Sequence, residues 1–155
     1  MAPLGPHMRG AVYIDRVTRL DLPAAIEEFL RLPNPAVVAC VRPDGMPMSA
    51  ATWYELQEDG RVLLNMNESR RRLGWMRRNP KVSLTVLGMD WYRHVTLHGL
   101  IVKIAVDADL ADIDRLAIRY GGEPFANRTA RRVSAWMEPS GWHAWDPSGE
   151  LLTPG

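Results

Sequence analysis

Three consecutive arginines, Arg70, Arg71 and Arg72, follow Ser69, and Arg77, Arg78 and Lys81 come close behind them. The stretch 69–78 has Leu73 and Met76 on one side and ends at Asn79-Pro80, where a helix cannot continue, so the spacing predicts a short helix with the three arginines in its first turn. That turn exposes free backbone N–H groups and the positive end of the helix dipole, which favours an anion and disfavours unaccompanied cations. Guanidinium groups add planar, permanently charged donors, so a phosphate fits there well. A solvated basic face satisfies the same composition, because charge runs usually face water. Nucleic acid is a third candidate, with Trp75 and Trp91 available to stack bases, but the whole chain has a net charge of only +1 and so no global attraction for a polyanion.

Other residues nominate little chemistry. His94 and His98 have the spacing of a helical metal pair, yet their β-branched surroundings predict a strand, on which four residues span roughly 13 Å, too far for one ion. The single cysteine, Cys40, lies in the apolar run 36–41 and reads as a small buried hydrophobe; it excludes a disulfide framework. There is no glycine-rich phosphate loop, nucleophile elbow or paired-histidine zinc motif, so no metal is expected and any redox chemistry belongs to a cofactor. Of the six tryptophans, Trp53, Trp91 and Trp136 are the candidates to lie beside a planar ring; the remainder read as core or interface filler.

These residues must be positioned by a small domain. With 155 residues, 46% of them hydrophobic, the chain suffices for one core, and a single domain over residues 10–155 is expected. Residues 1–9 read as a disordered or non-native leader. A helix over 22–32 with Asp21 as N-cap comes first. A three-stranded meander follows, at 37–42, 48–56 and 62–66, with turns at Asp44-Gly45 and Asp59-Gly60. After the basic helix come strands 82–87 and 92–106, the second containing Gly99, which implies a bulge or a close backbone approach. Leu110, Ile113, Leu116, Ala117 and Tyr120 share one helical face, ended by Gly121-Gly122. Segments 132–137 and 142–145 supply one or two last strands. This order predicts a mainly β, α+β fold, an antiparallel barrel with three short helices. No stretch approaches the roughly 20 apolar residues that cross a bilayer and no signal peptide is evident, so a cytoplasmic protein with no membrane partner is expected.

From about Ala36 to Trp145 the chain resembles the pyridoxamine-phosphate-oxidase-like split β-barrels, and within them the deazaflavin-dependent oxidoreductases of actinobacteria. The resemblance rests on the strand 36–41 with Arg42-Pro-Asp-Gly-Met-Pro47, on Val62-Leu-Leu-Asn-Met-Asn67 with the basic helix, and on Arg77-Arg-Asn-Pro-Lys-Val-Ser-Leu84. Arg93-His-Val-Thr-Leu-His-Gly99 and Tyr120-Gly-Gly-Glu-Pro-Phe125 are also similar. The resemblance implies a homodimer with a cofactor at the subunit interface, its phosphate at Arg70 and Arg72 beside Ser69 and Arg71. It places the ring along Met48, Ser49, Ala50, Ala51, Thr52 and Trp53, with Asn65, Met66 and Asn67 lining the site and His94 near the ring's polar edge. The segment 136–145 is a contributor from the second chain. Many relatives have lysine where Arg72 stands, which keeps the phosphate role and loosens the choice of cofactor. The activity implied is hydride transfer from reduced deazaflavin F420 to a small electron-poor organic substrate. The alternatives are an FMN-dependent oxidase or reductase on the same barrel, and a non-catalytic carrier or sensor of F420, haem or a bilin.

Overall fold

A computed structural model describes residues 19–151; the reading of residues 1–9 lies outside the described residues. The elements are α1 (Ala24–Arg31), β1 (Ala36–Val41), β2 (Pro47–Thr52), β3 (Glu55–Leu56), β4 (Val62–Asn67), α2 (Arg71–Arg78), β5 (Lys81–Leu87), β6 (His94–Val106), α3 (Ala111–Gly121) and β7 (Arg132–Trp145). The strands form one antiparallel sheet in the order β2-β1-β5-β6-β7-β4-β3.

That order closes the barrel by covalent means. β2 and β3 are sheet edges at opposite ends, yet only Trp53 and Tyr54 separate them in sequence. Three Cα steps reach at most about 11 Å, so the sheet must curl until its edges nearly meet. No ladder of hydrogen bonds joins those edges among the described residues, and the result is a split antiparallel barrel. Tyr54 pins the crossing: it is fully buried, and its hydroxyl lies 2.8 Å from the carbonyl of Leu30 and 3.0 Å from that of Leu32, at the end of α1.

Alternation fills the interior. Ala36, Val38 and Cys40 of β1 point inward with Leu84 and Val86 of β5, Val95 and Leu97 of β6, and Ala135 and Met137 of β7. Ile26 and Leu30 of α1 and Leu73 and Met76 of α2 join the same core. The buried state read for Cys40 is what is found.

Several boundaries differ from the sequence reading. α1 begins at Ala24, with Pro23 in the N-cap position and no side-chain cap, so Asp21 does not cap it. The meander is corrected: the second segment breaks into β2 and β3 at Trp53-Tyr54, and β4 pairs with β7 instead of β2. Burial of the Tyr54 ring and its two backbone partners outweighs strand continuity there. Trp91 and Tyr92 belong to the turn before β6, Trp91 having φ 55°. The two closing segments merge into the single strand β7. Gly99 meets its expectation. The β6–β7 register shifts at His98/Gly99, and a Cβ on Gly99 would collide with the backbone of Glu138 and Pro139.

Candidate functional site

The gap between the barrel edges and the start of α2 holds a cavity of about 520 Å³. β2 supplies Ala51, Thr52 and then Trp53 to one wall; β4 supplies Asn65, Met66 and Asn67 to another. Arg70 and Arg72 enter from the start of α2. A second cavity of about 310 Å³ lies on the other side of the same two arginines, where Met48, Ser49 and Ala50 face Ser69, Arg71 and Trp75. The sequence-nominated residues thus fall into two adjoining cavities hinged on Arg70 and Arg72. His94 lines neither; it starts β6, with Nδ1 3.3 Å from the Trp91 carbonyl. Trp53 borders the main cavity, whereas Trp91 is exposed on its turn and Trp136 packs under Lys103.

Local chemistry explains the placement of the arginines. Asn67 Oδ1 accepts from the backbone N–H and hydroxyl of Ser69, a side-chain turn that ends β4 and swings the chain into α2. Arg70 takes the N-cap position without a side-chain cap, and the helix has no acidic residue in its first turn. Arg71 and Arg72 are therefore its first two helical residues, one position later than the sequence reading placed them. Arg72 is half-buried, and its Nε is fully buried with no hydrogen-bond partner. Burial first, then the charge of Arg70, pull this guanidinium below its ordinary pKa. A buried donor without an acceptor, beside a second cation and at the positive pole of a helix, favours an anion.

Four lining residues escaped the sequence reading: Pro33, Pro35, Tyr120 and Arg132. Tyr120 stacks on Trp53, with ring centroids 5.5 Å apart and planes 10° from parallel, and donates to the Asn34 carbonyl at 2.9 Å. Arg132 begins β7 opposite Asn67 and donates through Nε to Asn65 Oδ1 at 2.8 Å. Asn65 is buried and in turn donates through Nδ2 to Asp107 Oδ2 and Ser134 Oγ, each at 3.0 Å. Asp107 accepts from the backbone N–H groups of Asp112 and Ile113 in the first turn of α3, so one carboxylate ties that helix to the cavity floor. The lining contains three guanidinium groups and no carboxylate. No cluster of three or more potential metal-ligating side chains occurs among the described residues, and no helix among them is long and apolar enough to cross a membrane.

Fold and cavity define a class: split barrels whose edge gap, a helix start and an aromatic stack enclose a strongly cationic pocket. The sequence pattern of pyridoxamine 5'-phosphate oxidase matches residues 22–146, and the chain belongs to that family. A pyridoxine/pyridoxamine 5'-phosphate oxidase of Bacteroides thetaiotaomicron is 23% identical over 118 residues, 76% of this chain and 52% of that protein; the chain spans about half that relative's length. Among solved structures, an F420 reductase is similar with a TM-score of 0.68 at 29% identity, covering 76% of this chain and 94% of the other. A pyridoxamine 5'-phosphate oxidase-related, FMN-binding protein from Nostoc punctiforme shares the fold at TM-score 0.64 and 12% identity, over 88% and 89% of the two chains.

Proposed function

We propose that this chain is an oxidoreductase that holds the deazaflavin F420 in the main cavity and reduces a small electron-poor organic molecule. The observation that carries the reading is the pair Arg70 and Arg72, converging on one cavity with the Arg72 Nε buried and unpartnered. The residues fit such a cofactor. Arg70 and Arg72 would hold its phosphate, Trp53 stacked on Tyr120 offers a flat apolar wall for a ring, and Asn65 and Asn67 present amides to polar ring edges. β2 is a sheet edge, so half of its peptide groups lack a strand partner and can bond a planar heterocycle.

When bound, reduced F420 supplies a hydride from C5 of its ring. The chain's own residues position the reactants and exclude water between the Trp53 wall and α2. No side chain at the cavity stands out as an obligatory acid; the Tyr120 phenol, its pKa raised by burial, remains protonated and is committed to Asn34.

F420 is favoured over FMN for two reasons. The F420 reductase is the more similar in sequence of the two cofactor-named structures. In addition, Arg78 lines a separate groove that shares Trp75 with the second cavity, Arg77 and Lys81 are exposed nearby, and this basic surface suits the acidic polyglutamate tail of F420. Titration of the purified protein with F420 and with FMN, followed by fluorescence, tests the choice. Saturable micromolar binding of F420 is expected; micromolar binding of FMN with none of F420 overturns the choice and leaves the FMN-dependent reading on the same phosphate grip.

We propose also that the chain works as a homodimer. The outer sheet face supports it. Two rows across the strands, Ala51, Val37, Thr85, Thr96 and His143, and Ser49, Ala39, Ser83, His98 and Gly141, are small or neutral and contain no carboxylate, lysine or arginine.

A further inference from the structure

We propose that Arg132 forms a second anion subsite in the main cavity, shaped for a carboxylate, so that the organic substrate is a carboxylic acid. The inference rests on the cofactor reading above and deepens it.

One edge and one face of the Arg132 guanidinium are accounted for. Its Nε edge is bound to Asn65 Oδ1, and one face lies over the Phe125 ring, with Cζ 5.0 Å from the ring centroid. The remaining edge, the two Nη groups, has no acceptor among the described residues, although the side chain lines the cavity. A planar pair of N–H donors is the shape that binds a carboxylate through both oxygens.

The orientation is imposed from behind. Asn65 cannot turn its amide round without losing three bonds, because Nδ2 is held by Asp107 and Ser134 while Oδ1 faces Arg132. Asp107 is itself consumed by Asn65 and by the α3 backbone, so it orients the array without covering the Nη edge. Burial lowers the Arg132 pKa most, Asp107 opposes it, and Arg70 and Arg72 lower it further; the three cations therefore feel one another. A phosphate with one or two negative charges is matched by Arg70 and Arg72, which leaves the positive charge of Arg132, at the start of β7, for a monoanion.

The carboxylate could belong to the substrate or to an acidic cofactor, and the experiment separates them. Calorimetric titration of the full chain, alone and saturated with whichever of F420 and FMN binds, is run with para-nitrobenzoate and with its neutral analogue para-nitrobenzamide. The acid is expected to bind about tenfold more tightly than the amide, as one charge-assisted pair requires. Arg132→Leu should bring the two within about twofold of each other and Arg132→Lys should keep an intermediate preference, while cofactor affinity changes less than about threefold. Should R132L melt early, Arg132→Gln, which keeps a donor towards Asn65, carries the same comparison. Equal binding of acid and amide by the unaltered chain, or a preference that survives R132L and R132Q, overturns the proposal. A tenfold loss of cofactor affinity with the acid preference unchanged also overturns it, and assigns Arg132 to the cofactor. If neither F420 nor FMN binds, the cofactor reading fails, and the comparison on the chain alone still decides Arg132.

Discussion

On the proposed reading, Arg72 serves a ligand at the expense of the protein that displays it. Its Nε is buried without an acceptor and its nearest charged neighbour in effect is another cation, Arg70. An unsatisfied buried donor costs about 1–3 kcal/mol. Replacing Arg72 by methionine, which keeps the apolar stem and removes the donor and charge, should therefore stabilise the ligand-free chain by about 1 kcal/mol, a rise in Tm of roughly 3 °C. The same change should weaken cofactor binding by tenfold or more. Differential scanning fluorimetry beside a binding titration checks both signs; a fall in Tm with unchanged affinity contradicts the assignment. At this scale the sequence was informative where residues were contiguous. Ser69 to Arg72 could be placed because one short helix carries them. Arg132 and Tyr120 could not, because Arg132 reaches the cavity through a partner 67 positions away, and Tyr120 sits at the end of a helix whose periodicity marks it only as part of the buried face.

Elements were legible wherever a local rule was enough. Gly121-Gly122 stops α3, with Gly122 at φ 81°, as the glycine pair indicates. α3 also shows a limit of local rules. Its N-cap residue is Leu110 at φ 61°, a poor cap, and the capping bonds come instead from Asp107, three residues earlier. Glycines in two elements give opposite predictions. At Gly99 the atoms a Cβ would meet are backbone of Glu138 and Pro139, so Gly99→Ala must push β6 and β7 apart, at a cost on the order of 3 kcal/mol. At Gly74, exposed on α2, nothing lies within 4 Å of the added carbon, and Gly74→Ala should stabilise by about 0.5–1 kcal/mol. Urea denaturation of the two variants measures both; similar midpoints would contradict the packing at the β6–β7 shift.

At the scale of the whole molecule the sheet order was the least legible property. Nothing near Trp53-Tyr54 announces that the chain crosses from one edge of a seven-stranded sheet to the other, because the reason is distant: Tyr54 is held by the end of α1, over twenty residues earlier. The order of strands and helices pointed to an antiparallel barrel and the family resemblance added that it is split, whereas the local turn signals implied a simple meander for its first three strands. For assembly, light scattering should report twice the 17.5 kDa of one chain. Ala39→Asp, which places a charge in the middle of the neutral outer face, should return the single-chain mass. A single-chain mass for the unaltered protein would remove the homodimer from the functional reading. The pocket's three guanidinium groups with no carboxylate among them also have a practical side. They will take phosphate or sulfate from a buffer by mass action, so the protein will melt higher in those salts than in chloride, and cofactor affinities measured in phosphate will understate the true ones by the factor one plus the salt concentration over its own dissociation constant.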